Sequence, residues 1–187
     1  MMSLPATTAV ALILGFAALA SGALMYWLRG GVQGGAPPSR RYLVWERSFI
    51  MAAVVLTAVG LVLLADLMAA SDGAAVARAG AVAYLFGGVL VVAAEASSLG
   101  QGLHQDWSAQ SWSLAVVYVV LALLAQAAIG GALLAGDVLP AWIGWATLAW
   151  NIGWLAFYLL RRGDIYTPFV HHVMPFVIGV AVLLQEG

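Results

Sequence analysis

Cysteine and lysine are absent from this sequence, and charged residues of any kind are rare. Without cysteine the chain cannot form disulfides, thiolate metal sites or iron–sulfur clusters, so any metal or haem would depend on His, carboxylate or Met ligands. Charged residues make up 8% of the chain and hydrophobic residues 64%, with a mean hydropathy of +1.01. Soluble domains are about half apolar and about a quarter charged. The composition therefore excludes an ordinary soluble fold, and the net charge of -1 gives no basis for a nucleic-acid partner.

Continuous apolar runs fill almost the whole sequence. A helix needs about 20 apolar residues to cross a hydrocarbon core about 30 Å thick. Runs of this kind can be read at 5–28, 44–70, 76–99, 112–136, 139–160 and 167–185. Because they are continuous and do not alternate with polar residues, they predict helices and not the strands of a barrel. We therefore expect residues 1–187 to form a single all-α membrane domain, a bundle of about six transmembrane helices.

The arginine residues predict the orientation of this bundle. Cytoplasmic loops carry the excess of positive charge in membrane proteins, and only Arg78 lies beside an even-numbered connection. The others flank the first and fifth connections: Arg29, Arg40, Arg41, Arg47, Arg161 and Arg162. We therefore expect an N-out/C-out topology. A composition whose basic residues are all Arg, and which is rich in Ala, Val, Leu and Gly, is common in bacteria, so we expect a multi-pass protein of the bacterial cytoplasmic membrane.

Three carboxylates lie inside the predicted spans: Glu46 and Asp66 near opposite ends of the second span, and Glu95 in the third. An ionisable side chain is costly at the bilayer centre and cheap near a surface, so depth decides how each is interpreted. Asp66 lies near the non-cytoplasmic end of its span, which predicts a solvated or capped carboxylate. Glu95 lies deeper, about a turn and a half from the cytoplasmic end, on one helix face with Tyr84. Structural and catalytic roles for Glu95 remain equally open.

Adjacent histidines, His171 and His172, begin the last span, near its cytoplasmic end. Their side chains point about 100° apart on a helix, so both cannot bind one ion without distortion. Together with His104 and Asp106 in the third connection they give only a weak metal signal. The alternative is a pair of interfacial histidines that bind carbonyls and phosphates. No sequence motif of a hydrolase, a phosphate-binding loop or a zinc protease is present.

The fifth span carries a polar stripe that runs from mid-membrane toward its cytoplasmic end. Its members are Gly144, Thr147, Asn151, Trp154 and Tyr158. Gln126 in the fourth span could donate a hydrogen bond to Asn151, as intramembrane amides often do between helices, or both could form the floor of a polar cavity. The predicted ligand-binding residues are Tyr84, Gln126, Asn151, Trp154, Tyr158 and Arg162. Catalytic roles are predicted for Glu95, His171 and His172.

Pro175 interrupts the last span four residues after His171. Because proline has no backbone N–H, it leaves the carbonyl of His171 without its usual helical donor. We therefore expect a bend or a polar break at this point. The acidic, basic and polar residues would converge here if the third, fifth and sixth spans were neighbours.

Three functions are compatible with these features. The first is a binding or carrier protein, with a polar pocket open to the cytoplasmic leaflet that holds a lipid-like or small organic molecule. The second is an enzyme acting on an amphiphilic lipid or isoprenoid substrate, with Glu95 or Asp106 as general acid or base and a histidine as its partner. The third is an accessory subunit whose small-residue faces meet a partner membrane subunit or further copies of the chain. Membrane lipids are expected partners in each case, and no motif indicates a cofactor.

Overall fold

The computed structural model describes residues 2–32, 39–100, 109–161 and 169–186, and almost all of them are helical. No strand occurs among these residues, so the predicted all-α class is confirmed. The helices are α1 (Leu4–Val32), α2 (Arg40–Leu67), α3 (Ala74–Gly100), α4 (Ala109–Gly136), α5 (Ala141–Arg161) and α6 (Val170–Glu186).

Five helices, α1 to α5, are long and apolar enough to cross a membrane. Each overlaps most of a run predicted from hydropathy, with ends that differ by a few residues, because a chain in lipid satisfies its backbone groups most simply as a helix. The chain is therefore a multi-pass membrane protein. The sixth helix, α6, is apolar but has only 17 residues, which correspond to about 26 Å at 1.5 Å per residue.

Each of the first five helices packs against its neighbours in the chain, in the order α1, α2, α3, α4, α5. The last helix, α6, packs mainly against α1 and makes smaller contacts with α2, α4 and α5. The Oγ of Ser3 donates a hydrogen bond to the carboxylate of Glu186 at 2.5 Å, which joins the start of α1 to the end of α6. The other side of the bundle, which holds Arg40, Arg41 and Arg47, is called the arginine side below.

Helix α6 begins near the middle of the bundle and not at the arginine side. The ring of Phe16 in α1 lies 5.5 Å from that of Phe169 and 4.6 Å from that of Phe176, between centroids. Phe16 is about 18 Å along α1 from Leu4 at 1.5 Å per residue, and α1 continues past it to Val32. The first turn of α6 is therefore surrounded by helices that extend beyond it.

Candidate functional site

His171 and His172 lie in the first turn of α6 and are both buried, with 0% and 1% of their surface exposed. The ring of His171 faces α4, where its centroid is 5.3 Å from that of Tyr118 in an edge-on arrangement. His172 faces α2, beside the backbone of Ala53. The two rings thus point toward different helices, as their offset on a helix predicts. Complete burial does not fit the interpretation of interfacial histidines bound to lipid phosphates.

The carbonyl of His171 has a hydrogen-bond donor from another helix. Gln126 Nε2 in α4 donates to it at 2.6 Å, which replaces the backbone donor that Pro175 cannot supply. Trp150 Nε1 in α5 donates to the carbonyl of Val170 at 2.9 Å. The carbonyl that Pro175 leaves without its helical donor is therefore paired with a side chain, and the first turn of α6 is attached to α4 and α5 by side chains.

This arrangement predicts an energetic coupling between Gln126 and Pro175. Gln126→Leu should destabilise the protein because it leaves a buried carbonyl without a donor. In a Pro175→Ala background the backbone N–H of residue 175 can serve that carbonyl, so the cost of Gln126→Leu should fall by about 1 kcal/mol. A double-mutant cycle of unfolding free energies measures this difference. Equal costs in the two backgrounds would show that Gln126 stabilises the protein in another way.

Gln126 and Asn151 do not form the hydrogen bond that was expected between them as one alternative. Asn151 Nδ2 instead donates to the carbonyl of Thr147, one turn back in α5, at 2.7 Å. The two amides nevertheless lie at one level. A Cβ added to Gly130 in α4 would lie 2.8 Å from the backbone nitrogen of Leu148 in α5, so these two residues are at the same height in the bundle. Because α4 and α5 run antiparallel, one turn along each helix from this contact brings Gln126 and Asn151 to a common height.

Several buried polar atoms at this level have no hydrogen-bond partner in the described part of the chain. They include both ring nitrogens of His171, Gln126 Oε1 and Asn151 Oδ1. A neutral imidazole has one donor and one acceptor, and an amide oxygen is an acceptor, so among these atoms the acceptors outnumber the donors three to one. A buried polar atom without a partner costs about 1–3 kcal/mol. The site can therefore bind a molecule that supplies hydrogen-bond donors.

Two buried tyrosines extend this polar region toward α3. The hydroxyls of Tyr84 in α3 and Tyr118 in α4 lie 3.2 Å apart, and both residues are 0% exposed. Tyr84 was predicted as a ligand-binding residue, whereas Tyr118 was missed by the sequence analysis. The signal for Tyr118 is its spacing, because it lies two helical turns before Gln126 on the same face of α4. We call Tyr84, Tyr118, Gln126, His171 and His172 the histidine cluster.

Glu95 lies outside the histidine cluster and is paired with an arginine. Its Oε2 is 2.5 Å from Nη1 of Arg47 in α2, and Glu95 is only 1% exposed. Glu46 is also buried, with Oε1 3.9 Å from Nε of Arg47. Along α3, Glu95 is about 16 Å from Tyr84 at 1.5 Å per residue. Glu95, a predicted general acid or base, is thus distant from the histidines that were expected to act with it.

The expected convergence of the third, fifth and sixth spans is wrong. Helix α3 packs against α2 and α4, and it contacts neither α5 nor α6 among the described residues. Glu95 can therefore not act together with His171 or His172 in this arrangement. Sequence analysis missed Arg47 as the partner of Glu95, although a buried carboxylate needs a cation and Arg47 is the arginine closest to the interior of α2.

The predicted polar stripe of α5 divides into two parts. Thr147 and Asn151 are fully buried and hydrogen-bond to the backbone of their own helix. Trp154 and Tyr158 are half-buried and belong to a group of aromatic rings, with centroids 5.9 Å apart. Arg162, His104 and Asp106, which were also predicted here, lie outside the described residues.

No three histidine or carboxylate side chains come together as a metal-binding group in the described ranges. The charged residues that are buried there, Glu46 and Glu95, lie beside Arg47, so the histidine cluster is built from neutral polar groups. Comparisons with known protein families, with curated proteins and with solved structures find no match for this chain.

Proposed function

We propose that this protein binds and carries a lipid-like or small organic molecule within the membrane, and that the histidine cluster is its binding site. The observation that carries this proposal is the pair of ring nitrogens of His171, which are buried, together with Gln126 Oε1 and Asn151 Oδ1, without a hydrogen-bond partner in the described part of the chain. Native proteins retain such costly groups mainly where function requires them. A bound molecule that hydrogen-bonds to these nitrogens would recover that cost.

The site is closed in this conformation, because the histidine nitrogens are shielded on all sides. Entry of a ligand requires the first turn of α6 to move. Pro175 favours this movement, since the turn before it lacks the backbone hydrogen bond that would tie it to the rest of α6. The side chains of Gln126 and Trp150 hold the turn in place and would have to release it. Opening and closing of this turn is the proposed carrier step.

Six membrane crossings and an N-out/C-out orientation are part of this proposal. Tags attached at residue 1 and at residue 187 should both be accessible from the non-cytoplasmic side, whereas a tag near Gly35 should be cytoplasmic. The reason is the arginine excess on one side of the bundle, because positive residues are retained in the cytoplasm. Selective labelling of intact cells, compared with lysed cells, measures this accessibility. Cytoplasmic labelling of either end would contradict the proposed topology.

Bound small molecules should be found in the purified protein and should depend on the histidines. Native mass spectrometry of the protein extracted in mild detergent should detect a retained molecule. His171→Leu should abolish this signal, because leucine offers no hydrogen bond, and His172→Leu should weaken it. Asp66→Asn is the matched control, since Asp66 is exposed near the end of α2 and should leave the signal unchanged. Equal signals from all variants would reject the histidine cluster as the binding site.

Catalysis and an accessory role lack a comparable observation. One form of the enzyme alternative has Glu95 acting with a histidine, but Glu95 is paired with Arg47 at a different level of the bundle, and Asp106, the other predicted acid or base, lies outside the described residues. The accessory alternative predicts that a partner membrane subunit, or a further copy of this chain, accompanies the protein. The mass of the native complex in the same experiment distinguishes it from a carrier that runs alone.

A further inference from the structure

We infer that the molecule bound by the histidine cluster is an uncharged amphiphile with a hydroxyl headgroup, whose apolar tail lies in a groove on the lipid-facing surface of α5. This inference rests on the proposed function and adds the chemical class of the ligand and the position of its tail. Three observations support it: the shape of α5, the connection between α5 and α6, and the kind of hydrogen-bonding groups that lack partners.

The groove lies along one face of α5. It is lined by Ala149, Trp150, Gly153, Trp154 and Phe157, whose spacing places them on one side of the helix. Gly153 keeps the groove open, because a Cβ added there would meet no atom within 4 Å. The walls are aromatic, with the ring centroids of Trp154 5.9 Å from those of Trp150 and 5.3 Å from those of Phe157. Such a surface suits a hydrocarbon chain.

Trp150 connects this groove to the histidine cluster. Its ring forms part of the groove wall, and its Nε1 donates to the carbonyl of Val170, the residue directly before His171. Helices α5 and α6 contact each other less extensively than α4 and α5 do, and Trp150 lies where α5 and α6 meet. A tail in the groove would therefore place a headgroup at the first turn of α6.

The unpartnered atoms favour a hydroxyl over a charged headgroup. Three acceptors and one donor lack partners at this level, so the ligand must supply both a donor and an acceptor, and a hydroxyl supplies both. A carboxylate supplies no donor and would bring an uncompensated charge into the interior, which is costly. An ammonium group would also need a counter-ion, and the two buried carboxylates of the described ranges already lie beside Arg47.

Photolabelling with matched lipids tests this assignment. The probes are a long-chain primary alcohol, its methyl ether and the corresponding carboxylic acid, each with the same diazirine in the tail, added to the full chain in lipid nanodiscs. The alcohol should label peptides that contain residues 149–157. The ether, which lacks the donor, should label these peptides roughly fivefold to tenfold less, as expected for the loss of about one hydrogen bond. The acid should also label weakly.

Two glycine variants provide a matched pair for the groove. Gly153→Leu fills the groove without touching the histidine cluster, and it should lower alcohol labelling roughly tenfold or more, as expected for a tail that loses its contact surface. Gly131→Leu is the control, because a Cβ added to Gly131 in α4 would also meet no atom within 4 Å. Both substitutions favour the helix, since glycine is a poor helix former, so neither should unfold the protein.

The outcomes separate this inference from the proposed function. If the co-purifying molecule is lost in His171→Leu but the alcohol and the ether label equally, the hydroxyl headgroup is overturned and the carrier proposal stands. If it is lost but the two glycine variants are labelled equally, the groove is overturned and the carrier proposal again stands. Retention of the co-purifying molecule in His171→Leu would overturn both. Selective alcohol labelling that falls in His171→Leu and Gly153→Leu, but not in Gly131→Leu, is the result that supports both.

Discussion

Arg47→Met should lower the free energy of unfolding by about 3–5 kcal/mol, because it removes the cation that lies beside two buried carboxylates, Glu46 and Glu95. The side chains of Arg47 and Glu95 are 2.5 Å apart, and Glu95 is 1% exposed whereas the Arg47 side chain is 19% exposed. A carboxylate in this position cannot be compensated by water in the way that a surface carboxylate is. Reversible unfolding in mixed detergent micelles, followed by circular dichroism, measures the loss.

The double variant Arg47→Met, Glu95→Gln is the control for this effect. It removes the charges of Arg47 and Glu95 together but also takes the arginine away from the buried Glu46, so it should recover part of the stability lost in Arg47→Met. Glu95→Gln alone should cost less than Arg47→Met, since Arg47 keeps Glu46 beside it and its side chain is partly exposed to water. A double variant as unstable as Arg47→Met would show that Arg47 stabilises the bundle through packing or through Glu46, and not through its ion pair with Glu95.

His171→Leu should raise the free energy of unfolding by about 1–3 kcal/mol while it abolishes binding. The substitution replaces a buried side chain whose two ring nitrogens lack partners in the described chain by an apolar one, which removes the cost of unsatisfied polar groups. This opposition between stability and function is expected for residues that are retained for a ligand. The same unfolding assay, run without added lipid, measures the change.

His171→Gln is the control for this prediction, because glutamine also places a polar group in the same surroundings. It should bring no increase in stability. If His171→Leu destabilised the protein as much as His171→Gln does, the ring nitrogens would be satisfied within the folded protein. The histidine cluster would then have a structural role, and the binding proposal would lose its main support.

The two histidines illustrate which features of a site can be predicted from sequence and which cannot. The different directions of the two histidine rings and the loss of the helical donor to the carbonyl of His171 were both predictable, because they depend only on local backbone geometry. The depth of the two histidines in the bundle was not predictable. Hydropathy extended the last span to residue 167, whereas α6 begins at Val170 near the middle of the bundle. The donor to the carbonyl, Gln126, belongs to another helix and could be identified only from helix packing.

For Glu95, the position within a span was predictable from the sequence and the partner was not. Its role was left open, and one hypothesis expected its partner to be a histidine. The expectation was wrong because it assumed which helices are neighbours. Helices in lipid have apolar residues on all sides, so their sequence pattern does not distinguish a face that meets another helix from one that meets lipid. The neighbours of α3 are α2 and α4, and they place Arg47 beside Glu95.

By itself the sequence determined that this is an all-helical, multi-pass membrane protein, because about 20 apolar residues without a polar alternation can satisfy their backbone in lipid only as a helix. Tertiary structure alone decided which polar residues meet. Close contacts between small residues, such as Gly130 of α4 against Leu148 of α5, set the register of neighbouring helices. That register brings Tyr118 and Gln126 to the start of α6 and leaves Glu95 with Arg47. These contacts depend on the shapes of two surfaces at once, and a hydropathy pattern records neither.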